Sequence, residues 1–435
     1  MTVSILYAFL EGRLAGVFQR TGEEAAHFEP NSDAPATPLS LSLAGGTASA
    51  EAAFAYLDNL LPDNEEVRRR IAETSGSTAD TFELLALIGE DVAGAVSLSA
   101  DETLPARQPE PVLEAVEDDI AYHVANLRID PTAPPPRESK PRWSLAGQQA
   151  KFSLSNLQGR WFWSTYERPS THIFKPESRR HHDAQAAEYA CLTLAAELGI
   201  PASNTQVVSF AGQSVIQVER WDRYEGKRLH AEDLLQALGL PSCEKYSIPA
   251  EDIVALLRPH GQDWAFVRQL LFNTFVGNAD AHAKNYTLLL GGSKARLAPL
   301  YDVLPMAIWP HYSQTLAMHI NRKHRAEDVG LDDWLAFADA NRLNQDMMIA
   351  EVRQINAGVG EGLPQALLEA GVSAAGVDRV AAQQALLRLP SRHKGTAVAH
   401  APAPQADVAE VGRIWVQPHL RGGRPVHGHW RKHRS

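Results

Sequence analysis

The pattern of apolar and polar positions changes character several times along this 435-residue chain. Over about the first hundred residues, short apolar runs alternate with turns, in "VSILYAFL", "RLAGVFQ" and later "GAVSLSA". Such runs predict strands. Among them "EAAFAYLDNLLP" spaces its apolar residues as a helix does, and an amphipathic charged stretch follows it. Together these predict a small α+β unit over residues 1–105. Prolines and charges then crowd "LPARQPEPV" and "IDPTAPPPRESKPRW", which reads as a Pro-rich linker or surface strap over 106–142.

From residue 143 the pattern is globular again. Five strand-like pieces appear, "FSLSNL", "RWFWST", "THIFKP", "TQVVSF" and "SVIQVERW". Between the third and fourth lies a helix, "DAQAAEYACLTLAAELG", with Gly199 as its stop. Beyond about residue 230 the pattern is mostly helical. The stretch 393–435 is poor in large apolar residues at first and ends in the basic, Gly-rich "HLRGGRPVHGHWRKHRS", so a disordered tail is expected. Strands with one helix followed by a helical body predict an α+β, two-lobed architecture with a cleft between the lobes.

Composition narrows the function classes. With 44% hydrophobic residues the chain can bury sizeable cores, and its length allows two or more domains. A formal net charge of −11 argues against a whole-protein nucleic-acid binder, which needs a basic face. Cys191 and Cys243 are too few for a disulfide framework or a thiolate metal cage, and reduced thiols in a cytoplasmic protein are expected. No apolar run reaches roughly eighteen residues, so no membrane span is expected. The opening "MTVSILYAFLEGRLAG" has no basic leader, so no secretory signal is expected either.

The chemistry concentrates in "FVGNADAHAKNYTLLL", residues 275–290, where Asn278, Asp280, His282, Lys284 and Asn285 interrupt apolar flanks. Three readings compete. Asp280 and His282 could ligate a metal, with His260 or Asp302 as further ligands. Alternatively the polar groups cap a turn and His282 is a satisfied core histidine. The third reading rests on spacing. In the protein-kinase catalytic loop the base Asp and a metal-binding Asn stand as D-x-x-x-x-N, as Asp280 and Asn285 do here. Other kinase parts follow in order: Lys175 in "THIFKP" for the phosphates, Glu188 in "DAQAAEYACL" to orient that Lys, "VIQVERWDR" as a connector meeting adenine, and Asp302 in "LAPLYDVLP" as a second metal ligand. Phosphoryl transfer asks mainly for positioning and neutralisation of an anionic nucleotide. Mg²⁺ is a hard cation that takes oxygen ligands. One part departs from the kinase pattern. No G-x-G-x-x-G run precedes Lys175; "WSLAGQQAKFSL" stands there instead, with Ala146 and Gly147 at a turn.

The segments "SLAGQQAKFSL", "THIFKP", "VERWDR", "LHAEDLLQALGLP", "GNADAHAKNYTLL" and "LAPLYDVLP" together resemble the HipA family, serine/threonine kinases that act as toxins of bacterial toxin–antitoxin modules. The resemblance runs from the amino terminus to about residue 390; "LYAFLEGRLAGVF" and "ALIGEDVAGAVSLS" are similar to the family's amino-terminal subdomain. It implies a protein-kinase-like fold over 143–392 with a mostly helical C-lobe, and ATP and Mg²⁺ as cofactors. It further implies that the backbone of Ala146, Gly147, Gln148, Gln149, Ala150 and Lys151 wraps the ATP phosphates, with Lys175 in contact. Glu219, Arg220 and Trp221 would face adenine, and Tyr301 would lie beside the nucleotide. Asp280 would be the catalytic base, His282 and Lys284 would flank the phosphates, and Asn285 and Asp302 would ligate Mg²⁺. Ser144 matches the serine that members autophosphorylate, which shuts them down. As partners it implies a translation-machinery protein, such as an aminoacyl-tRNA synthetase, as substrate and a small DNA-binding antitoxin of HipB type. Nucleic acid would be met only through that antitoxin, and no membrane is involved. Two alternatives stay open: a catalytically silent kinase-fold co-repressor, and a small-molecule or lipid kinase.

Overall fold

Strands β1 (Ile5–Leu10), β2 (Arg13–Gly22), β3 (Ala25–Pro30) and β4 (Val96–Ser99) form an antiparallel sheet ordered β3-β2-β1-β4. Because side chains alternate across a strand, Leu6 and Ala8 share a face, and with Phe18 of β2 they enter a core that helices complete. Those helices are α1 (Ala50–Asp58), α2 (Glu65–Ser75) and α3 (Thr81–Ile88), each started by a side-chain cap, Ser49, Asn64 and Asp80 respectively. Tyr56 and Phe82 fill the centre, and the Phe18 ring stacks parallel to Tyr56 at 5.8 Å. These are elements of a computed structural model of the chain, which describes residues 3–45, 48–103, 112–131, 133, 150–165, 168–177, 181–292, 294–387, 413–416, 419–421, 424–426 and 429–432.

Two compact units divide the chain. The first comprises Met1–Tyr189, Thr205–Ile248 and His282–Ala298, and so joins the amino-terminal sheet to a second sheet. Strands β5 (Phe152–Leu157), β6 (Arg160–Trp163), β7 (His172–Pro176), β8 (Thr205–Phe210) and β9 (Gln213–Glu219) run antiparallel in the order β6-β5-β7-β9-β8. The expected linker 106–142 is more than a linker. It holds helix α4 (Glu117–Ile129), whose Ile120, Val124 and Leu127 pack with Phe152, Phe174 and Val215 of this sheet. Those three residues fall at i, i+4 and i+7, a single helical face, which the flanking prolines obscure in the sequence.

One arginine of a separate hairpin grips the amino-terminal subdomain. Strands β10 (Arg223–Tyr224) and β11 (Lys227–Arg228) pair, and Arg228 donates to the carbonyls of Gly94 (2.9 Å), Glu90 (3.0 Å), Val92 (2.6 Å) and Val96 (2.9 Å). Next come β12 (Ala231–Asp233) and the short helix α6 (Leu234–Leu238). β12 pairs with β13 (Thr287–Gly291), which pairs with β14 (Lys294–Leu297).

The second unit comprises Ala190–Asn204, Pro249–Ala281 and Pro299–Ser435. It is mostly helical: the end of α5 (Ala184–Glu197), then α7 (Ala250–Leu257), α8 (Asp263–Val276), α9 (Leu331–Ala340), α10 (Gln345–Glu369) and α11 (Ala374–Leu386), with one hairpin of β15 (Thr315–Ile320) and β16 (Lys323–Arg325). α10 buries Met348, Val352, Ile355, Val359, Leu363 and Leu367 on one face. Its Gly358 lets Leu198 approach so closely that an added Cβ would stand 2.3 Å from that side chain. Among the described residues no helix is long and apolar enough to cross a membrane. Regular structure also occurs within 393–435, expected to be disordered: β17 (Arg413–Val416) pairs with β20 (His429–Lys432), and β18 (His419–Arg421) with β19 (Arg424–Val426).

β12 buries an acid. Glu232 is 1% exposed, accepts from the Leu41 amide at 3.0 Å, and burial pushes its carboxyl up to about 8 against the pull of Ser40 and Leu41. The folded state thus holds this proton more tightly than the unfolded chain, whose carboxyl titrates near 4.5. Stability from this group is full below that value and declines as pH rises toward about 8. Glu232→Gln, permanently neutral, should match the wild-type melting temperature near about pH 5 and exceed it near about pH 9. Thermal unfolding at both pH values measures this.

Candidate active site

Helix α8 ends at Gly277, whose φ of 76° places it in the left-handed region that an L side chain resists. The chain then turns into Asn278, whose amide bonds back to the Asn273 carbonyl at 2.9 Å. Only 2% of Asn278 is exposed. Its Nδ2 donates to Asn273 Oδ1 (2.9 Å) and to the Asp302 carbonyl (3.4 Å), while its Oδ1 accepts from the Asp280 amide (3.3 Å). One carboxamide therefore holds the backbone at both acids, whose sequence positions differ by 22. Asp302 itself has φ 58°, a strained setting for a non-glycine residue. Met306 N–H to Gly277 O at 3.1 Å ties the segment after Asp302 to the same turn. The sequence offered Asn278 as a turn cap just past a helix-ending Gly, but not its bond to the Asp302 carbonyl.

The first unit carries the rest. Lys175 lies on β7 and Glu188 on α5. The Lys175 ammonium donates to both Glu188 oxygens, at 2.8 and 3.0 Å, with side-chain exposures of 10% and 3%. Gln185 steadies this pair, bonding the Lys175 carbonyl (3.0 Å) and the Ser214 carbonyl (3.2 Å). At the end of β9, Glu219 is exposed and Trp221 half-buried. Arg220 turns inward, donating to Asp222 (2.8 and 2.7 Å) and Ser170 (3.1 Å). Burial alone would raise the Asp222 carboxyl, but Arg220 and Arg223 hold it far below the usual carboxylate range. The Arg220 amide bonds the Thr171 carbonyl at 2.9 Å, which fixes the strand end whatever the side chain does.

His282 to Asn285 belong to this unit too. His282 is buried, with the Tyr246 ring edge-on at 5.1 Å. A tight turn over Ala283–Asn285 is closed by Asn285 N–H to His282 O at 2.8 Å and held by Ala283 N–H to Lys245 O at 3.1 Å. Lys284 is ion-paired with Asp63 at 2.7 Å, lies 3.9 Å from Asp233, and donates to the Asn59 carbonyl at 3.4 Å. Burial would raise Asp63, but the ammonium groups of Lys284 and Lys245 outweigh it and hold the carboxyl at about 2. Neither Asp63 nor Lys245 was foreseen from sequence.

Ala150 and Lys151 lead into β5, Ala150 packing on its core. Ser144, Ala146, Gly147, Gln148 and Gln149 lie outside the described residues. Tyr301 and Asp302 are half-buried, as is Asn285, and Asp280 is exposed. Asn285 and Asp302 offer oxygen donors, the chemistry Mg²⁺ takes. Among the described residues no group of three or more His, Cys, Asp or Glu side chains gathers to hold a metal ion, so the pair Asp280 and His282 gains no further ligand of those types.

Residues 6–99 match the HipA N-terminal domain and residues 143–362 the HipA-like C-terminal domain. The chain belongs to the HipA family. This HipA-family chain is 32% identical over 367 residues to the putative kinase Y4mE of Sinorhizobium fredii, covering 78% of this chain and 86% of the relative. It is 29% identical over 373 residues to the serine/threonine-protein kinase toxin HipA of Shewanella oneidensis, covering 79% of this chain and 83% of that protein. The structure of that organism's HipA, solved with HipB and operator DNA, superposes with a TM-score of 0.72 at 26% identity, over 88% of this chain and 95% of that one. The fold is accordingly α+β and HipA-like.

Removing one partner of the Lys175–Glu188 pair strands a buried charge, which costs about 3–5 kcal/mol. Glu188→Ala should lower the unfolding midpoint accordingly, and Lys175→Met with Glu188→Leu should recover most of the loss. Thermal or urea unfolding of the single and double variants checks this.

Proposed function

We propose that this chain is an ATP- and Mg²⁺-dependent serine/threonine protein kinase, the toxin of a HipA–HipB-type module. The single observation that carries the reading is the buried Lys175–Glu188 ion pair, which joins a strand of the five-stranded sheet to the helix that follows it. A kinase needs an ammonium held in a fixed direction toward the nucleotide phosphates, and the carboxylate orients it. Asp280 accepts the proton of the attacking hydroxyl. Asn278 supports that role by bonding the Asp280 amide and the Asp302 carbonyl. Asn285 and Asp302 supply oxygen ligands to Mg²⁺. When bound, the metal neutralises phosphate charge. The backbone at Glu219 to Trp221 meets adenine, and the segment from Ala146 to Lys151 covers the phosphates.

For substrate and partner, we infer what the likeness to HipA proteins suggests. The substrate is a protein of the translation machinery, such as an aminoacyl-tRNA synthetase. A HipB-type antitoxin is the partner, supported by the Shewanella oneidensis HipA–HipB–operator complex, and this acidic chain suits a basic partner that itself contacts DNA.

Incubation with labelled ATP and Mg²⁺ tests the reading. Label should pass to the chain or to a protein substrate, and Asp280→Asn should cut that transfer by at least about a hundredfold while ATP still binds, since that is the worth of a positioned base. No transfer by the wild type removes the kinase assignment; near-normal transfer by Asp280→Asn removes Asp280 from the role.

Ser144 stands two residues before the proposed phosphate-covering segment. A phosphate there adds roughly −1.5 to −2 charge and competes with ATP for the same backbone amides. Wild-type protein incubated with Mg·ATP should gain phosphate at Ser144 and then bind ATP more weakly, whereas Ser144→Ala should keep its affinity. Mass spectrometry with a nucleotide-binding measurement decides it; unchanged affinity after phosphorylation would sink self-inhibition.

A further inference from the structure

Between α1 and α2 the chain reads "NLLPDN", residues 59–64. This loop is rigidly built. Asn64 caps α2 through the Glu66 amide at 2.9 Å, and Arg68 takes the Pro62 carbonyl at 2.6 Å. Asp58 receives Arg68 at 2.6 Å and the Thr81 hydroxyl at 2.9 Å. Asp63 is held between these fixed points and receives one lysine on each oxygen: Lys284 on Oδ1 at 2.7 Å and Lys245 on Oδ2 at 2.8 Å. Side-chain exposures are 12% for Asp63, 6% for Lys284 and 13% for Lys245.

Both lysines grip the turn that contains Asn285. Lys284 is its middle residue, and the Lys245 carbonyl receives the Ala283 amide at 3.1 Å. Asp233, 3.9 Å from the Lys284 ammonium, also caps α6, whose Gln236 donates to the Tyr56 carbonyl of α1 at 3.1 Å. The amino-terminal subdomain therefore touches this turn through the Asp63 carboxylate and the Asn59 carbonyl, and reaches α6 through α1.

We propose that Asp63 is a positioning residue for the catalytic loop, drawing together the two lysines that bracket Ala283–Asn285 and so setting the orientation of Asn285. Lys284 serves as the anchor of the loop, not as a phosphate ligand. The amino-terminal subdomain is then a structural part of the catalytic apparatus. The role, though not the contact, rests on the kinase reading.

The test uses the full chain and Asp63→Asn, which keeps the shape and removes the charge. Loss of charged hydrogen bonds should speed hydrogen exchange at the Ala283 and Asn285 amides at least about tenfold and slow phosphoryl transfer comparably. Asp58→Asn perturbs the same loop without touching either lysine and should leave exchange at those amides unchanged. In the Asp63→Asn background a further Lys284→Gln should cost less turnover than Lys284→Gln does alone, because the two share the Asp63–Lys284 contact. An equal or larger added loss means that Lys284 acts elsewhere and overturns the proposal. So does unchanged exchange over 282–286 in Asp63→Asn, or equal loosening by Asp58→Asn. Should Asp63→Asn not fold, Lys245→Gln removes one arm and must still loosen the Ala283 amide severalfold. The exchange arm needs no turnover, so a wild type that transfers no phosphate defeats the kinase reading and leaves the Asp63 contact to be judged separately.

Discussion

An ammonium group taken out of water has to meet a carboxylate, and the first unit satisfies that demand at Lys175, Lys245 and Lys284. An unpaired buried cation costs several kcal/mol, more than most single contacts return. Each lysine thereby dictates where a distant segment must lie. Glu188 has to sit on the inner side of α5, and Asp63 has to reach across 221 positions to Lys284 and 182 to Lys245. Arg228, filled by four carbonyls of the 90–96 segment, makes the same demand in neutral form. The contacts of Asp63 and Arg228 join the amino-terminal subdomain to the segments around Arg228, Lys245 and Lys284.

How much of this could be read from the sequence depends on range. The five strand-like runs after residue 143 became one sheet because each carries its own apolar signal, and "DAQAAEYACLTLAAELG" became α5 for the same reason. α4 was obscured because Pro-rich flanks outweigh three apolar residues at helical spacing. The pairing of Lys175 with Glu188 was legible because strand β7 and helix α5 stand close in sequence. Asp63 was not, since nothing in "NLLPDN" marks a residue whose partners stand some two hundred positions away. Asn278 falls between these cases. Its neighbours betray a helix end, but only the fold reveals that its carboxamide meets the Asp302 carbonyl.

The two units hold their parts by different means. In the second, a neutral carboxamide fixes the Asp280 amide and the Asp302 carbonyl. In the first, charge does the fixing. A group that must later accept a proton or a metal is best held by its backbone, because any bond to its carboxylate would have to be broken first. On the proposed kinase reading, the grip on the Asp280 amide and the Asp302 carbonyl sets each side chain from its backbone.

The same reasoning separates two lysines that motif order alone would treat alike. Lys175 meets the Glu188 carboxylate through both oxygens, a compact pair whose carboxylate sets its direction. Lys284 faces Asp63, ionised at any ordinary pH because its carboxyl titrates at about 2, with Asp233 a further acid at 3.9 Å and a carbonyl besides. Lys245 shares Asp63 but leaves the Asp233 side acidic. Around Lys284 the field is already neutral or negative, and an arriving phosphate would meet little unspent positive charge there. On the proposed role of Asp63, this ammonium holds the turn beside Asn285.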